Sequence, residues 1–504
     1  MSHFPYEDRF VVHRTFPELG TPRGEILAEL QTMATEEDAV WETGRCSGTI
    51  YRGDHDHYRF LHEAFGLFAH TNVLQRDMCP SATKFEAEVI AMTLDLLHGE
   101  AIHGNGAHGN GAHGNGGPAD GPAGGPNGGP GNGSGDGRRH GPGAGLVTTG
   151  GTGSISHAVL AYREHAAATR GVTRPNLIKP ETAHPAFDKA CHLFGVELRR
   201  APVDAATTEV DVDWVADHVD DQTVAIVGSA ANYGYGTVDP IGALSDVAVE
   251  RGVGLHVDAC LGGFILPFGQ ELGYEVPVFD YRLPGVTSIS ADTHKYGYAL
   301  KGTSVLTFRD QAVRNAQYFT LTDWSGGKYC SPGMEGSRSG GLLAATWAAM
   351  VQLGREGYRR EAAAIFETSS AMQDAVRAHP ELRILGRPTF LFSFTSDDFD
   401  VYHVNDFLRR RGWRLNGQQY PNALHMAVTG PQTRDGVVAA WGGDLADAVD
   451  YAKAHRDEAP ASGAIYGGVA GGMTDEADSF IRAVMAEMMD DQQAVPLDSR
   501  PSQA

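Results

Sequence analysis

Cysteine is scarce in this 504-residue chain, and its spacing pairs nothing. The five cysteines, Cys46, Cys79, Cys191, Cys260 and Cys330, are odd in number and include no C-x-x-C. That argues against a disulfide framework or a cysteine-built zinc site and fits a reducing cytoplasm. Positive charge is also short: 40 Lys and Arg stand against 63 Asp and Glu, a formal net charge of −23. So acidic a chain is a poor partner for DNA or RNA, whose binding rests on neutralised phosphates. No apolar run reaches the roughly eighteen residues of a membrane-spanning helix. The opening MSHFPYEDRF lacks the basic region and apolar core of a signal peptide. No G-x-x-x-x-G-K-[ST] phosphate loop can be read, at Thr148–Ser154 or around WSGGKY.

Glycine, by contrast, is abundant, and much of it lies between His103 and Gly145. That segment opens with the repeat HGNGAHGNGAHGNGG and offers almost no apolar side chains to bury. It cannot offset its ordering entropy, so it reads as a disordered insertion. His103, His108 and His113 could bind a metal as a flexible cluster, but nothing nearby supplies the fixed geometry of a catalytic site. We expect no metal, and the plainer reading is a solvated linker.

Around the insertion the pattern is α/β. The stretch to about Pro80 is polar with scattered aromatics. ATKFEAEVIAMTLDLLHG reads as an amphipathic helix, with Ser81 as N-cap and Gly99 as its end. GLVTTGG leads into an Ala-rich helix expected to begin near Gly153 or Ser154. The runs TVAIVGSA, GLHVDACLGGF, VTSISAD and TSVLTF then alternate with helical stretches, which predicts a largely parallel sheet. After about Leu342 a long helix, the strand runs PTFLFSFTS and ALHMAVTG, and the helix VNDFLRRRG predict a smaller α+β domain. The expected organisation is 1–80 as an N-terminal segment and 81–345 as the large domain. A small domain over 346–470 and a final helix and tail over 471–504 complete it.

Four features carry chemistry. TTGGTGS, Thr148 to Ser154, is a glycine turn between strand and helix, where free N–H groups and the helix dipole suit a phosphate. Asp258 ends the apolar strand of HVDAC and needs a cationic or hydrogen-bonding partner. Lys295, in SADTHKYG, follows another apolar strand, where a lysine of lowered pKa can bond to an aldehyde. His184, in ETAHPAFDKAC, is on its own a capping or packed histidine. Taken in order, the four are what pyridoxal phosphate requires: a phosphate turn, a stacking imidazole, a carboxylate for the ring nitrogen and a lysine for the aldehyde.

These residues resemble the pyridoxal-phosphate-dependent family that includes the glutamate and aromatic amino acid decarboxylases. Within it, SISADTHKYGYALKG and HVDACLGGFILPF are most similar to the sphingosine-1-phosphate lyases, and EGSRSGG, SATKFEAEVIAMTLDLL and GTVDPI add to the likeness. The resemblance runs from about Gly44 to about Gly430. It implies the aminotransferase-like fold of type I, with a seven-stranded, mostly parallel sheet. It implies a homodimer with shared active sites that cleaves the C2–C3 bond of a phosphorylated sphingoid base, leaving a long-chain aldehyde and phosphoethanolamine. Carried over by position, Lys295 bonds to the cofactor aldehyde, Asp258 pairs with the ring nitrogen and His184 stacks on the ring. Gly151, Thr152 and His294 hold the cofactor phosphate, with Ser337 reaching it from the neighbouring subunit. Lys301, Tyr51, Tyr235 and Gln75 face the substrate phosphate. The base for the C3 hydroxyl stays open between a tyrosine and a phosphate oxygen.

Three positions depart from the family's pattern: Gly153 stands for a usual Glu, Gln75 for a His, and Tyr235-Gly236 for a His-Gly. Two rival readings follow from the sequence. One is an amino acid decarboxylase on the same fold, which Lys301 and the lysine-loop context disfavour. The other is a metal-binding or scaffold protein organised by the His/Gly/Asn repeat.

Overall fold

The β-branched and apolar runs that follow the glycine-rich segment become the strands of one sheet, because strands buried on both faces need continuous apolar sequence. They are β1 (Ala144–Thr148), β2 (Asn176–Pro180), β3 (Glu197–Ala201), β4 (Thr223–Ser229), β5 (Gly254–Asp258), β6 (Val286–Ala291) and β7 (Ser304–Phe308). Their order across the sheet is β1-β7-β6-β5-β4-β2-β3. Only β7 runs against its neighbours β1 and β6; the other pairs are parallel. The carboxyl ends of β1, β2, β4, β5 and β6 therefore gather at one edge, where open α/β sheets bind their ligands. The computed structural model describes residues 4–104, 143–463, 467–468 and 473–494.

Helices flank the strands in chain order: α1 (Arg23–Glu42), α2 (His55–Leu67), α3 (Pro80–Leu96), α4 (Ala101–Gly104), α5 (Gly151–Arg170), α6 (Ala186–Phe194) and α7 (Val212–His218). Then come α8 (Ile241–Arg251), α9 (Leu266–Glu271), α10 (Gln311–Asn315) and α11 (Gly340–Arg377), and last α12 (Tyr402–Arg410), α13 (Val437–Ala454) and α14 (Asp475–Gln492). Between β7 and α11 lies the short pair β8 (Phe319–Leu321) and β9 (Tyr329–Ser331). Buried Ile155, Val159 and Tyr162 of α5 join Phe187 and Cys191 of α6 and the strand residues Leu177, Ala225 and Val227 in one apolar cluster.

The chain divides into two compact units. The larger comprises Asp54–Glu367 and Leu385–Leu391, the smaller Met1–Gly53, Thr368–Ile384 and Phe392–Ala504. These limits differ from the sequence-based ones. The first eighty residues split at Asp54, whose carboxylate caps a new helix, α2, by accepting the Asp56 and His57 N–H groups. The long helix expected after Leu342 is α11, which breaks its helical geometry at Gly354 (φ 57°) and stays with the larger unit to Glu367. The smaller unit carries the sheet β10-β11-β13-β12, made of β10 (Leu382–Leu385), β11 (Leu391–Ser396), β12 (Asn416–Gln418) and β13 (Ala423–Ala427). Trp413 and Trp441 meet edge to face at 5.1 Å in its core.

Other boundaries shift for local reasons. Pro80 takes the first position of α3 with Cys79 before it, so Ser81 lies inside the first turn and does not cap it; proline's fixed φ suits that place. The same helix ends at Leu96, short of Gly99. α5 starts at Gly151, earlier than expected. The insertion read over 103–145 is narrower where it is described: α4 extends through Gly104 and β1 starts at Ala144. Residues 105–142, with His108 and His113, lie outside the described residues.

A buried carboxylate on α3 sets the position of β1. Glu86 Oε1 accepts the Val147 N–H at 3.1 Å and Arg338 Nη1 at 2.9 Å, and Oε2 pairs with Arg76. Arg338 also donates to the Val147 carbonyl at 2.7 Å. Burial pushes the Glu86 carboxyl up, but Arg338 and then Arg76 outweigh it and hold it below the usual carboxylate range. Glu86→Ala would strand Arg338, and breaking a buried pair from one side costs about 3 kcal/mol. A loss of unfolding free energy of that size in a urea titration is the expected result; an unshifted midpoint would show the network to be dispensable.

Candidate active site

A pocket of about 550 Å³ opens at the carboxyl edge of the sheet in the larger unit. The turn Thr149–Gly153, His184, Asp258, His294 and Lys295 all line it. Sequence reasoning had named six of its residues, Gly151, Thr152, His184, Asp258, His294 and Lys295, and the fold brings these six together.

The floor is the start of α5. Its first turn has no side-chain cap, so backbone N–H groups are left for a ligand. Gly150 has φ 133°, a conformation open to glycine and strained for other residues. A Cβ on Gly151 would lie 2.6 Å from Asp292 Oδ2. A polar chain fixes this turn to the sheet: Thr148 Oγ1 and Ser154 Oγ meet at 2.7 Å, Ser154 and Ser304 Oγ at 2.8 Å, and Ser304 donates to the Ala291 carbonyl. A 20-residue helix aimed at the pocket from this turn favours an anion.

Asp258 ends β5 and is buried. Its Oδ1 accepts the Cys260 N–H at 3.1 Å and the Ser290 hydroxyl at 3.4 Å. Among the described residues no hydrogen bond falls on Oδ2, which leaves that oxygen for a ligand N–H. His184 caps α6: its Nδ1 accepts the Ala186 N–H at 3.1 Å, so the proton of the neutral ring sits on Nε2. Burial holds the imidazole below its usual range, with Asp258 opposing. His184 is thus both the capping histidine of the plain reading and a wall of the pocket.

The lysine loop is coiled and anchored. Ala299 N–H donates to the Thr293 carbonyl at 2.9 Å, His57 Nε2 to the Tyr298 carbonyl at 2.8 Å, and Tyr358 Oη to the Gly297 carbonyl at 2.7 Å. Lys295 Nζ lies 2.9 Å from Asp292 Oδ2. Lys301 stands outside the pocket lining with its side chain exposed, yet desolvation of its ammonium, then the charge of Lys295, push it down to about 8. The two lysines are therefore unlike: one is held by a buried carboxylate, and the other is weakened as a cation.

The remaining expected residues do not line this pocket. Ser337 Oγ accepts from Asn72 Nδ2 at 2.9 Å, and Gln75 is exposed on the turn before α3. Tyr235 donates its N–H to Asn232 Oδ1, and burial raises its hydroxyl. Gly236 beside it (φ 72°) has no room for a side chain, since a Cβ would fall 2.1 Å from the Leu391 carbonyl oxygen. Tyr51 belongs to the smaller unit, where its carbonyl accepts the Gly430 N–H. Sequence reasoning missed Asp292, Cys260, Lys189 and Met334, which also line the pocket. It also missed Tyr233, whose hydroxyl burial raises and Lys295 lowers. Asp292 was the one open to reading, as a second strand-end carboxylate three residues from the lysine.

Residues 133–390 match the pyridoxal-dependent decarboxylase conserved domain, so fold and site are those of a pyridoxal-phosphate enzyme of fold type I. The sphingosine-1-phosphate lyase of Arabidopsis thaliana is 38% identical over 92% of this chain and 79% of its own. That of Dictyostelium discoideum is 34% identical over 98% and 84%. The solved structure of a Burkholderia pseudomallei sphingosine-1-phosphate lyase superposes with a TM-score of 0.86 at 52% identity, covering 98% of this chain and all of the other. Glutamate decarboxylase of Lactobacillus brevis, at 18% identity and a TM-score of 0.69, shares the fold. The chain belongs to the sphingosine-1-phosphate lyase family. Among the described residues no helix is long and apolar enough to cross a membrane.

The residues present fit the cofactor. The uncapped glycine turn matches its phosphate, the open Oδ2 of Asp258 its ring N–H, and Lys295 its aldehyde. Gly151→Ala should press a methyl group on Asp292 and the phosphate turn, at about 1–3 kcal/mol for such overpacking. The expected result is cofactor affinity weakened about tenfold or more in an absorbance titration; unchanged affinity would show that the turn can yield.

Proposed function

We propose that this chain is a pyridoxal-phosphate-dependent lyase that cleaves the C2–C3 bond of phosphorylated long-chain sphingoid bases, giving a fatty aldehyde and phosphoethanolamine. One observation carries the reading: Asp258, His184 and Lys295 converge on one pocket over an uncapped helix start, in a chain of this family. The bound cofactor supplies an aldehyde that captures the substrate amine and a ring that draws electrons from the breaking bond.

The protein's own groups do the rest. With the cofactor bound, Asp258 Oδ2 would keep the ring nitrogen protonated and His184 would stack on the ring. Gly151, Thr152 and His294 hold the cofactor phosphate. With the cofactor bound, Lys295 Nζ would hold its aldehyde at rest and would move a proton at C2 of the substrate. Lys301 receives the substrate phosphate, and Tyr51, Tyr235 and Gln75 are the further residues proposed to bind it. A homodimer is part of the proposal, with Ser337 reaching the cofactor phosphate of the neighbouring subunit. The five free cysteines, one of them exposed, fit a reducing cytoplasm.

Sphingosine 1-phosphate should yield aldehyde, whereas glutamate and tyrosine should release no carbon dioxide; the reverse outcome would make the chain a decarboxylase. Lys295→Ala should lose the visible absorbance of the bound cofactor and nearly all turnover, and retained absorbance would sink the assignment. Lys301→Ala should keep the cofactor and raise KM tenfold or more, since a charge-assisted contact is worth about 1.5–3 kcal/mol. An unchanged KM removes Lys301 from the substrate site. Lys301 is charged below about pH 8 and loses its proton as pH rises through that value. KM should therefore climb above pH 8 in the wild type and stay flat across that range in Lys301→Ala.

A further inference from the structure

Asp292 has no part in the roles assigned above, yet it sits at their centre. Its side chain is 1% exposed. Its Oδ2 lies 2.9 Å from Lys295 Nζ and 3.8 Å from His294 Nε2, and among the described residues neither carboxylate oxygen accepts a well-formed hydrogen bond. A buried carboxylate without such bonds depends on the cations beside it.

His294 is constrained from its other nitrogen. Nδ1 donates to the Thr303 carbonyl at 2.6 Å. A neutral imidazole has one N–H, so with that proton committed Nε2 is bare. It can donate to a phosphate only as part of an imidazolium. The ring lies against the phosphate turn, since a Cβ on Gly150 would stand 3.6 Å from His294 Cε1.

We propose that Asp292 is the shared counter-ion of the site. It holds the Lys295 ammonium before the cofactor arrives. When Lys295 gives up its ammonium proton to serve the cofactor aldehyde (amine and aldehyde would condense with loss of one water), His294 takes that proton and Asp292 supports its imidazolium against the cofactor phosphate. The inference rests on the reading of His294 as a phosphate contact. The charged groups facing His294 are Asp292 and Lys295 from its own loop and Lys301 beyond; the start of α5 presents backbone. Burial pushes the imidazole down, Asp292 and the Thr303 carbonyl push it up, and Lys301 and Lys295 push it down. Passing the Lys295 proton to His294 keeps it in the site, so cofactor capture retains one proton more, and loses affinity more steeply as pH rises, than in a site without His294.

The test titrates cofactor-stripped, full-length protein with pyridoxal 5′-phosphate from about pH 6 to 9 by visible absorbance. Calorimetry in two buffers counts the protons taken up. Wild type should take up about one proton more than His294→Gln and lose affinity more steeply with pH, by up to about tenfold per unit. Asp292→Asn, which keeps the volume, should bind about tenfold more weakly at pH 7 and shift the His294-dependent limb to lower pH. The double variant should show no such limb. Wild-type affinity and pH profile in a folded Asp292→Asn overturns the proposal, provided that His294→Gln is weakened. Unweakened binding by His294→Gln overturns the phosphate role of His294 instead, and this inference with it. If Asp292→Asn does not fold, equal proton uptake by wild type and His294→Gln is the overturning result.

Discussion

A single buried carboxylate on α3 sets where the catalytic edge of the sheet can be. Glu86 reaches from α3 to the Val147 N–H of β1, and through Arg338 to the segment that precedes α11. β1 is an edge strand among the described residues, paired on one side with β7, so among them its far side has no ladder to hold it. The Glu86–Arg338 pair substitutes for that missing neighbour: Arg338 takes the Val147 carbonyl and Glu86 the Val147 N–H. Val147 lies three residues before Gly150. What fixes the strand also fixes the turn at which α5 begins.

The pocket then follows from topology and charge. Parallel strands end together, so Thr148, Asp258 and Ala291 deliver their loops to one edge. Two carboxylates and two lysines within one short region would be unstable if all were left to themselves. Asp258 is settled by Cys260 and Ser290, Asp292 by Lys295. The two lysines are thereby kept different. Lys295 is held inside next to an acid, while Lys301, outside the pocket lining, is a weaker base through desolvation first and the charge of Lys295 second.

Much of this was legible in the sequence, where period and composition carry the signal. The apolar runs TVAIVGSA, GLHVDAC and VTSISAD became β4, β5 and β6 because continuous burial demands continuous apolar residues. The strand-end positions of Asp258 and Lys295 follow from those runs. What stayed hidden depends on contacts distant in sequence. α1 has a weak apolar pattern, with Trp41 its one buried residue, so periodicity gave no sign of it. The break at Gly354 is invisible in a helical sequence, since glycine is tolerated there. Asp292 gains meaning only when β6 brings it against Gly151, 141 positions earlier. The split of the first eighty residues has no local signature beyond the capping aspartate at 54.

The departure at Gly153 finds a physical counterpart in this fold. A Cβ there would come within 3.1 Å of Thr149 Oγ1, whose hydroxyl instead donates to Glu335 Oε1 at 2.7 Å. Glu335 Oε2 faces Nε2 of the buried His157 at 3.5 Å. The hydrogen bond from His157 and that from Thr149 outweigh burial and hold the Glu335 carboxyl down to about 2, so it is an anion at any working pH. A negative charge beside the first turn of a helix is favourable, whichever segment supplies it. The family resemblance places a carboxylate on α5 itself; this chain brings one to the same turn from the loop before α11. The glycine then costs the helix start little, and Met334, next to Glu335, is held against the pocket as part of its wall.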